Sequence, residues 1–227
     1  MPGTDDSDLG GSRPRNPGAR RSLVGRDPGG AVASGRWRIV GDISLDVALS
    51  GVVALSCAEL LTDAFGRVRE TVLAAVEGLS PAELDRRLDP DANSIGWLVW
   101  HLTRVQDDHV AAAFGIPQVW ETGGWAARLG LPPRTAEIGY GHSSAQVARV
   151  SAAVSADPGL LSDYHEATYE QTVKQVSGLT GADLGRVVDD SWSPPVTLGV
   201  RLVSVINDDL QHAGQAAFIR GILLREN

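Results

Sequence analysis

The sequence predicts an all-α protein, a four-helix bundle with a long loop between its second and third helices. Three observations carry the prediction. Four long segments repeat apolar residues at steps of three and four, the period of a helix with one buried face. Capping signals bracket those segments, and no segment alternates apolar and polar residues as a half-buried strand would. Helices of this kind, joined by turns, bury their stripes against one another as a bundle.

The first helix is expected over residues 59–79, where Leu61, Phe65, Val68, Val72, Val76 and Leu79 form the stripe. Ser80-Pro81-Ala82-Glu83 reads as a capping box with proline at the first helical position, opening a short helix. The second long helix follows Asn93 on the stripe Ile95, Leu98, Leu102, Val105 and Ala112; Gly115 and Pro117 end it. Residues 116–142 hold Gly123-Gly124, Pro132-Pro133 and Gly139-Tyr140-Gly141 and are expected as a long irregular connection. Connections of that length in compact domains usually serve function. Asp157-Pro158 opens the third long helix, through Leu161, Tyr164, Thr168, Thr172, Val176 and Leu179. Residues 180–188 add a short helical turn and Ser193-Pro194-Pro195 a break, before the last long helix over residues 198–224.

The 227 residues suit one domain with an extension. Residues 1–40, rich in Gly, Pro, Arg and Asp and without hydrophobic period, are expected to be disordered, leaving residues 41–227 for the bundle. The stretch from Val47 to Cys57 is apolar but interrupted by Gly51, and reads as the lead-in to the first helix and not as a signal peptide. No stretch approaches the ~18 apolar residues of a membrane span. A net charge of −8 argues against general nucleic-acid binding, which draws on clustered Lys and Arg. The single cysteine, Cys57, excludes an internal disulfide framework and fits a cytoplasmic setting.

The chemistry concentrates in Asp208-Asp209-Leu210-Gln211-His212-Ala213-Gly214-Gln215. Here the last helix turns polar on the stripe Val205, Asp208, His212, Gln215, Ile219, which carries a desolvation cost unless those groups find partners. Asp208 and His212 are four apart, so one helical face presents both to one metal ion. Asp209 is the rival carboxylate, pointing further from that stripe. A third ligand must come from elsewhere, and His101 in the second helix flanks its apolar stripe. Two histidines and one carboxylate with open positions are a ligand set of catalytic zinc and ferrous sites.

The runs NSIGWLVWHLTRVQDDH and NDDLQHAGQAAFIRG resemble the DinB-like superfamily, in particular its mycothiol-transferase and maleylpyruvate-isomerase-like branch. The resemblance spans roughly residues 55–225. It implies a four-helix bundle holding a divalent metal, zinc or nickel. His101 matches the ligand from the second helix, His212 the last ligand, and Gly214-Gln215 the residues that follow it. Asp208 occupies the middle place, where the family usually carries His or Glu. The implied activity is a metal-dependent S-transfer or isomerisation with mycothiol or another low-molecular-weight thiol, an electrophile as second substrate, and a homodimer as the assembly. A non-enzymatic metal- or ligand-binding stress-response bundle is the alternative, and no residue is assigned a catalytic role.

The remaining candidates read as structural. Asp107 and Asp108 are expected on a solvated face, with Asp108 placed to orient a ligand if it turns inward. His109 is expected at the surface or behind a ligand, His165 at the surface, and His142 as a cap of the next helix or a substrate contact from the loop. Trp97, one turn before His101, is placed to wall the metal pocket. Cys57 lacks a basic neighbour to activate it and reads as a packing residue. Gln215 and Arg220 read as structural.

Overall fold

The computed structural model describes residues 55–226. The extension expected over residues 1–40 and most of the lead-in to the first helix lie outside the described residues. The elements run α1 (Cys57–Val76), α2 (Pro81–Asp85), α3 (Ile95–Phe114), α4 (Val119–Thr122), α5 (Trp125–Arg128), α6 (Ser144–Ser155), α7 (Pro158–Val176), a 3-10 turn (Asp183–Gly185), β1 (Val187–Asp189), β2 (Val196–Thr197) and α8 (Leu198–Glu226). The all-α architecture expected from the periodicity is present, with α1, α3, α7 and α8 as the four long helices.

Local chemistry sets the boundaries. Ser56, Ser80 and Ser143 open α1, α2 and α6 through capping boxes with Glu59, Glu83 and Gln146, each satisfying two otherwise orphaned backbone donors. Ser94 caps α3, and Asp157 caps α7 ahead of Pro158. Gly115, left-handed at φ 65°, ends α3.

α8 packs against α3 and α1, and α7 closes the ring against the same two helices. α6 covers a further side of α3, close enough that a Cβ on Gly96 would meet the Ser155 hydroxyl at 2.3 Å. α3 is therefore enclosed: 16 of its 20 residues are buried, so even its polar positions face protein. This corrects the expectation for Asp107, which is buried. Its carboxylate accepts the backbone N–H groups of Val119 and Trp120 at 2.8 and 2.7 Å and the Tyr164 hydroxyl at 2.9 Å. Ala112, expected on the stripe, faces solvent, while Ala111 and Ala113 are buried.

Two apolar clusters form the core. One gathers Val68, Val72, Leu98, Leu102, Tyr164 and Ala213 with others, and the second gathers Leu61, Phe65, Val110, Val176, Leu202 and Val205. On three of the four long helices, buried polar residues separate the two: Thr103 and Gln106 on α3, Thr168 and Thr172 on α7, Asp209 on α8. Gln106 donates to Thr172 at 2.8 Å, and the Thr103 hydroxyl meets His165 Nδ1 at 3.0 Å. His165 is thus wholly buried, against the surface position expected for it.

α6 and the β1–β2 pair lie beyond the elements that the sequence predicts. α6 was not anticipated, since Ser144–Ser155 carries only Val147, Val150 and Val154 as strong apolar markers. The antiparallel β1–β2 pair, three residues against two, is too short to show a period. It leads into α8 and is pinned there by Arg201, whose guanidinium donates to Asp189 at 2.8 Å. The loop expected over residues 116–142 contains the short α4 and α5, anchored by buried Trp120 and Trp125.

Candidate metal centre

The bundle brings together three residues far apart in sequence. His101 on α3 and Asp208 and His212 on α8 each offer a ligand-type atom, and these atoms lie within 4.8 Å of one another. His101 is buried, while the side chains of Asp208 and His212 are about one-fifth exposed, so the cluster sits under an opening to solvent.

Each histidine has one ring nitrogen already engaged. His101 Nδ1 hydrogen-bonds the carbonyl oxygen of Ile138. His212 Nδ1 pairs with Gln215 Oε1 at 3.2 Å. A ligating imidazole is held this way in metal sites, with one N–H donated to an oxygen so that the other nitrogen is bare and aimed. The nitrogen left on His212, Nε2, lies 3.8 Å from Asp208 Oδ1. Asp208 Oδ2 is buried with no hydrogen-bond partner among the described residues. An orphaned buried carboxylate oxygen beside two oriented imidazoles is the arrangement a cation would complete.

The ring of His101 is also sterically fixed. Trp97, one turn earlier, stacks on it at 4.7 Å and 20°, as the wall the sequence suggested. Tyr140 meets it edge-on at 5.4 Å. Burial lowers the pKa of His101, outweighing the hydrogen bond to Ile138 and the Asp208 charge, which raise it. The imidazole is therefore neutral near pH 7, the form a metal ligand needs. Burial and then the Asp208 charge push the Tyr140 hydroxyl pKa up, which keeps it a proton donor.

The wall around His101 is the segment 134–142. Arg104, one turn after His101, donates to the carbonyls of Thr135 and Glu137 at 2.6 and 3.4 Å. His142 accepts the Trp97 indole N–H at 3.2 Å, and its other ring nitrogen meets Glu137 at 3.1 Å. His142 thus clasps the loop to α3, while the helix cap expected of it is supplied by Ser143. Gly139, at φ +102°, lets the chain pass where a Cβ would lie 2.7 Å from His101 Nδ1. Ile138 and Tyr140 also line a cavity of about 710 Å³, together with Arg134, Glu137, His142 and Gln146.

The other candidates fall elsewhere. Asp209 is fully buried on the opposite flank of Asp208, with both oxygens lacking partners among the described residues. His109 and Asp108 pair with each other at 3.3 Å, and His109 lies 3.4 Å from Arg201. Cys57 donates to the Leu179 carbonyl. The sequence reading gave no role to Ile138, Gly139 or Tyr140; its one signal was a tyrosine between two glycines.

A family model described as mycothiol-S-transferase matches residues 60–224, nearly the whole described chain. The chain belongs to the mycothiol-S-transferase family. It also resembles a solved structure, a conserved protein from Enterococcus faecalis, at 31% identity and a TM-score of 0.67, over 74% of this chain and 96% of that one. No curated protein matches the chain. The matched span contains all three clustered residues, which lie at the α3–α8 seam. No helix among the described residues is long and apolar enough to cross a membrane.

Proposed function

We propose that the protein is a metal-dependent S-transferase that joins a low-molecular-weight thiol of the mycothiol type to an electrophile, with His101, Asp208 and His212 as the ligands of one zinc or nickel ion. The convergence of their three ligand atoms within 4.8 Å, inside a mycothiol-S-transferase fold, carries this reading. A divalent cation bound there supplies a Lewis acid that lowers the pKa of a thiol, ordinarily near ~8.5, so that its thiolate form is available at neutral pH.

The chain's own residues supply the rest. Ile138 and Gln215 orient the two imidazoles, and Trp97 blocks one face of His101. Tyr140 stands exposed at the mouth, where its hydroxyl is placed to donate a hydrogen bond to a bound substrate. The cavity beside it has room for the thiol or electrophile, and Arg134 and Gln146 offer polar contacts there. No protein nucleophile is required, which agrees with Cys57 lying away from the centre on a backbone carbonyl. A free-thiol substrate and an unpaired cysteine both suit the reducing cytoplasm.

The test uses purified full-length protein. Zinc or nickel is expected at one ion per chain by elemental analysis, and mycothiol is expected to be consumed when a haloalkyl electrophile is added. Chelation, His101→Ala and His212→Ala are each expected to abolish both. Full metal content in the two alanine variants overturns the site. Bound metal without thiol consumption, across a panel of electrophiles, overturns the transferase reading and leaves a metal-binding bundle.

A further inference from the structure

The cavity of about 710 Å³ beside the metal centre is lined by polar groups already bonded to the protein and by others left free. Its volume suits a small organic ligand. The one acidic residue in its lining, Glu137, is held inward, where its Oε1 accepts the His142 Nε2–H at 3.1 Å. His142 is thereby fully engaged, since its Nδ1 accepts the Trp97 indole N–H at 3.2 Å. The side-chain oxygen of Gln146 accepts the backbone N–H and the hydroxyl of Ser143, both at 2.9 Å, which leaves its amide N–H groups free. Arg134 stands most open, with 74% of its side chain exposed and an ion pair to Glu137 stretched to 3.8 Å. What the cavity offers a ligand is therefore a guanidinium and an amide donor, and no uncommitted carboxylate.

Two further observations mark this as a place for a negative group. Arg134 sits on a pinned turn: its N–H donates to the Pro132 carbonyl at 2.8 Å, and its own carbonyl accepts the Glu137 N–H at 3.3 Å. Buried Arg104 holds the next carbonyl, that of Thr135, at 2.6 Å. A cation carried on a fixed turn has less freedom to lose when it binds. The second observation is another free guanidinium. Arg149, exposed on α6 one turn after Gln146, borders with Arg134 and Glu137 a small cleft against the same wall. Arg149 has no hydrogen bond or ion pair among the described residues, whereas Arg69, Arg104 and Arg201 are committed to Glu166, Asp107 and Asp189. On a chain of net charge −8, an anion repelled elsewhere is drawn to this end of the cavity.

We propose, on the basis of the transferase reading, that the electrophile bears a carboxylate and that Arg134 selects it. The planar guanidinium matches a carboxylate with two parallel N–H donors, and the Gln146 amide adds a third. The carboxylate is held at the outer end of the cavity. The reacting carbon then lies at the inner end, beside Ile138 and Tyr140, the residues that touch His101. In the transfer, the thiolate sulfur forms a bond to that carbon as the carbon–halogen bond breaks. The halide leaves with the bonding pair, and the thiol proton has already passed to solvent. Arg134 takes no part in that exchange; it fixes which electrophiles are held.

Two halides test this, para-(bromomethyl)benzoate and para-(bromomethyl)benzamide, alike in shape and leaving group and different in charge. With zinc-loaded full-length protein and mycothiol, the benzoate is expected to exceed the benzamide about tenfold in kcat/KM, each taken relative to its uncatalysed rate, the effect of one charge-assisted hydrogen bond. Arg134→Gln is expected to erase that preference through the KM of the benzoate. Equal turnover of the two halides by the parent, or a preference that survives Arg134→Gln, overturns the proposal. A second measurement needs no turnover. By calorimetry the full chain is expected to bind unreactive para-toluate and not para-toluamide, and Arg134→Gln to weaken the toluate about tenfold. Toluate binding is expected to persist after chelation, which separates a carboxylate on Arg134 from one on the metal. Binding that disappears with the metal, or is indifferent to Arg134, overturns the proposal. Arg134-dependent toluate binding without turnover of either halide supports the carboxylate subsite and overturns the transferase reading alone.

Discussion

His101 and Ile138, 37 residues apart in the chain, are joined through a hydrogen bond between the imidazole Nδ1 and a backbone carbonyl. The bond fixes which ring nitrogen faces Asp208 and His212. A loop of no regular structure therefore governs a ligand on the most buried helix. Gly139 makes the contact possible, because the chain passes so close to α3 that a Cβ there would lie 3.1 Å from both Trp97 and Trp100.

Gly139→Ala is accordingly expected to displace the Ile138 carbonyl and release the His101 ring. Losing an outer partner of a ligating histidine typically costs about 10–100-fold in metal affinity. Competition against a chromophoric chelator should show a fall of that size, with the far-ultraviolet dichroism of the bundle retained. Unchanged affinity would mean that the loop does not orient His101.

The adjacent carboxylates on α8 separate just as sharply. Asp208 offers a partly exposed oxygen to the cluster, whereas Asp209 is fully buried, and its burial pushes its pKa well up. Asp208→Asn is expected to strip the metal. Asp209→Asn is expected to keep it and to hold or raise Tm, because no ionisable group is then buried without a partner. Elemental analysis beside thermal melts distinguishes the two, and the reverse pattern would move the ligand to Asp209.

That pair also shows how much the sequence could say. The stripes of α1, α3 and α7 were legible because strong apolar residues recur at the helical period. The i, i+4 spacing placed Asp208 and His212 side by side. The buried line of α8 differs from the expected stripe: it runs through Val205, Asp209, Ala213, Ala216 and Ile219, while Gln215 is exposed. Small alanines on the buried side and large apolar residues on the outer side flatten the contrast that the reading relies on. Asp107 is covered by the start of α4 and by Tyr164, and His165 by Thr103 of α3, contacts between distant segments that no local period encodes. The Ile138 carbonyl, a backbone group common to all residues, carries no sequence signal at all.

His165 predicts how the fold responds to acid. Complete burial lowers its pKa from 6.5 to about 3. Thr103 gives its own proton to the Val99 carbonyl at 2.7 Å, so His165 Nδ1–H donates to Thr103, and Nε2 is left buried without a partner. A base with a lowered native pKa binds its proton more readily when unfolded. Stability from this group is therefore intact above pH 6.5 and is lost as pH falls from 6.5 towards 3. Linkage gives a loss of about 2 kcal/mol between pH 7 and pH 5. Urea titrations at the two pH values should show it, and His165→Asn should flatten the difference. An equally steep acid limb in that variant would assign the effect to other groups.

Asp107 sets the last expectation, since it holds the base of the loop that supplies Ile138. Its carboxylate faces Arg104 at 3.3 Å, both side chains being almost wholly buried, and it takes the first backbone N–H groups of α4. Arg104 in turn reaches Thr135, Gln118 and the Tyr164 hydroxyl. Asp107→Ala leaves that guanidinium without its counter-charge and should cost about 3–5 kcal/mol, the range for breaking one side of a buried pair. Asp108→Ala, next to it but partly exposed against His109, should cost no more than about 1 kcal/mol. The contrast is measured as the shift in urea midpoint at constant slope. Similar costs for the two would show that the Arg104–Asp107 pair does not anchor the loop.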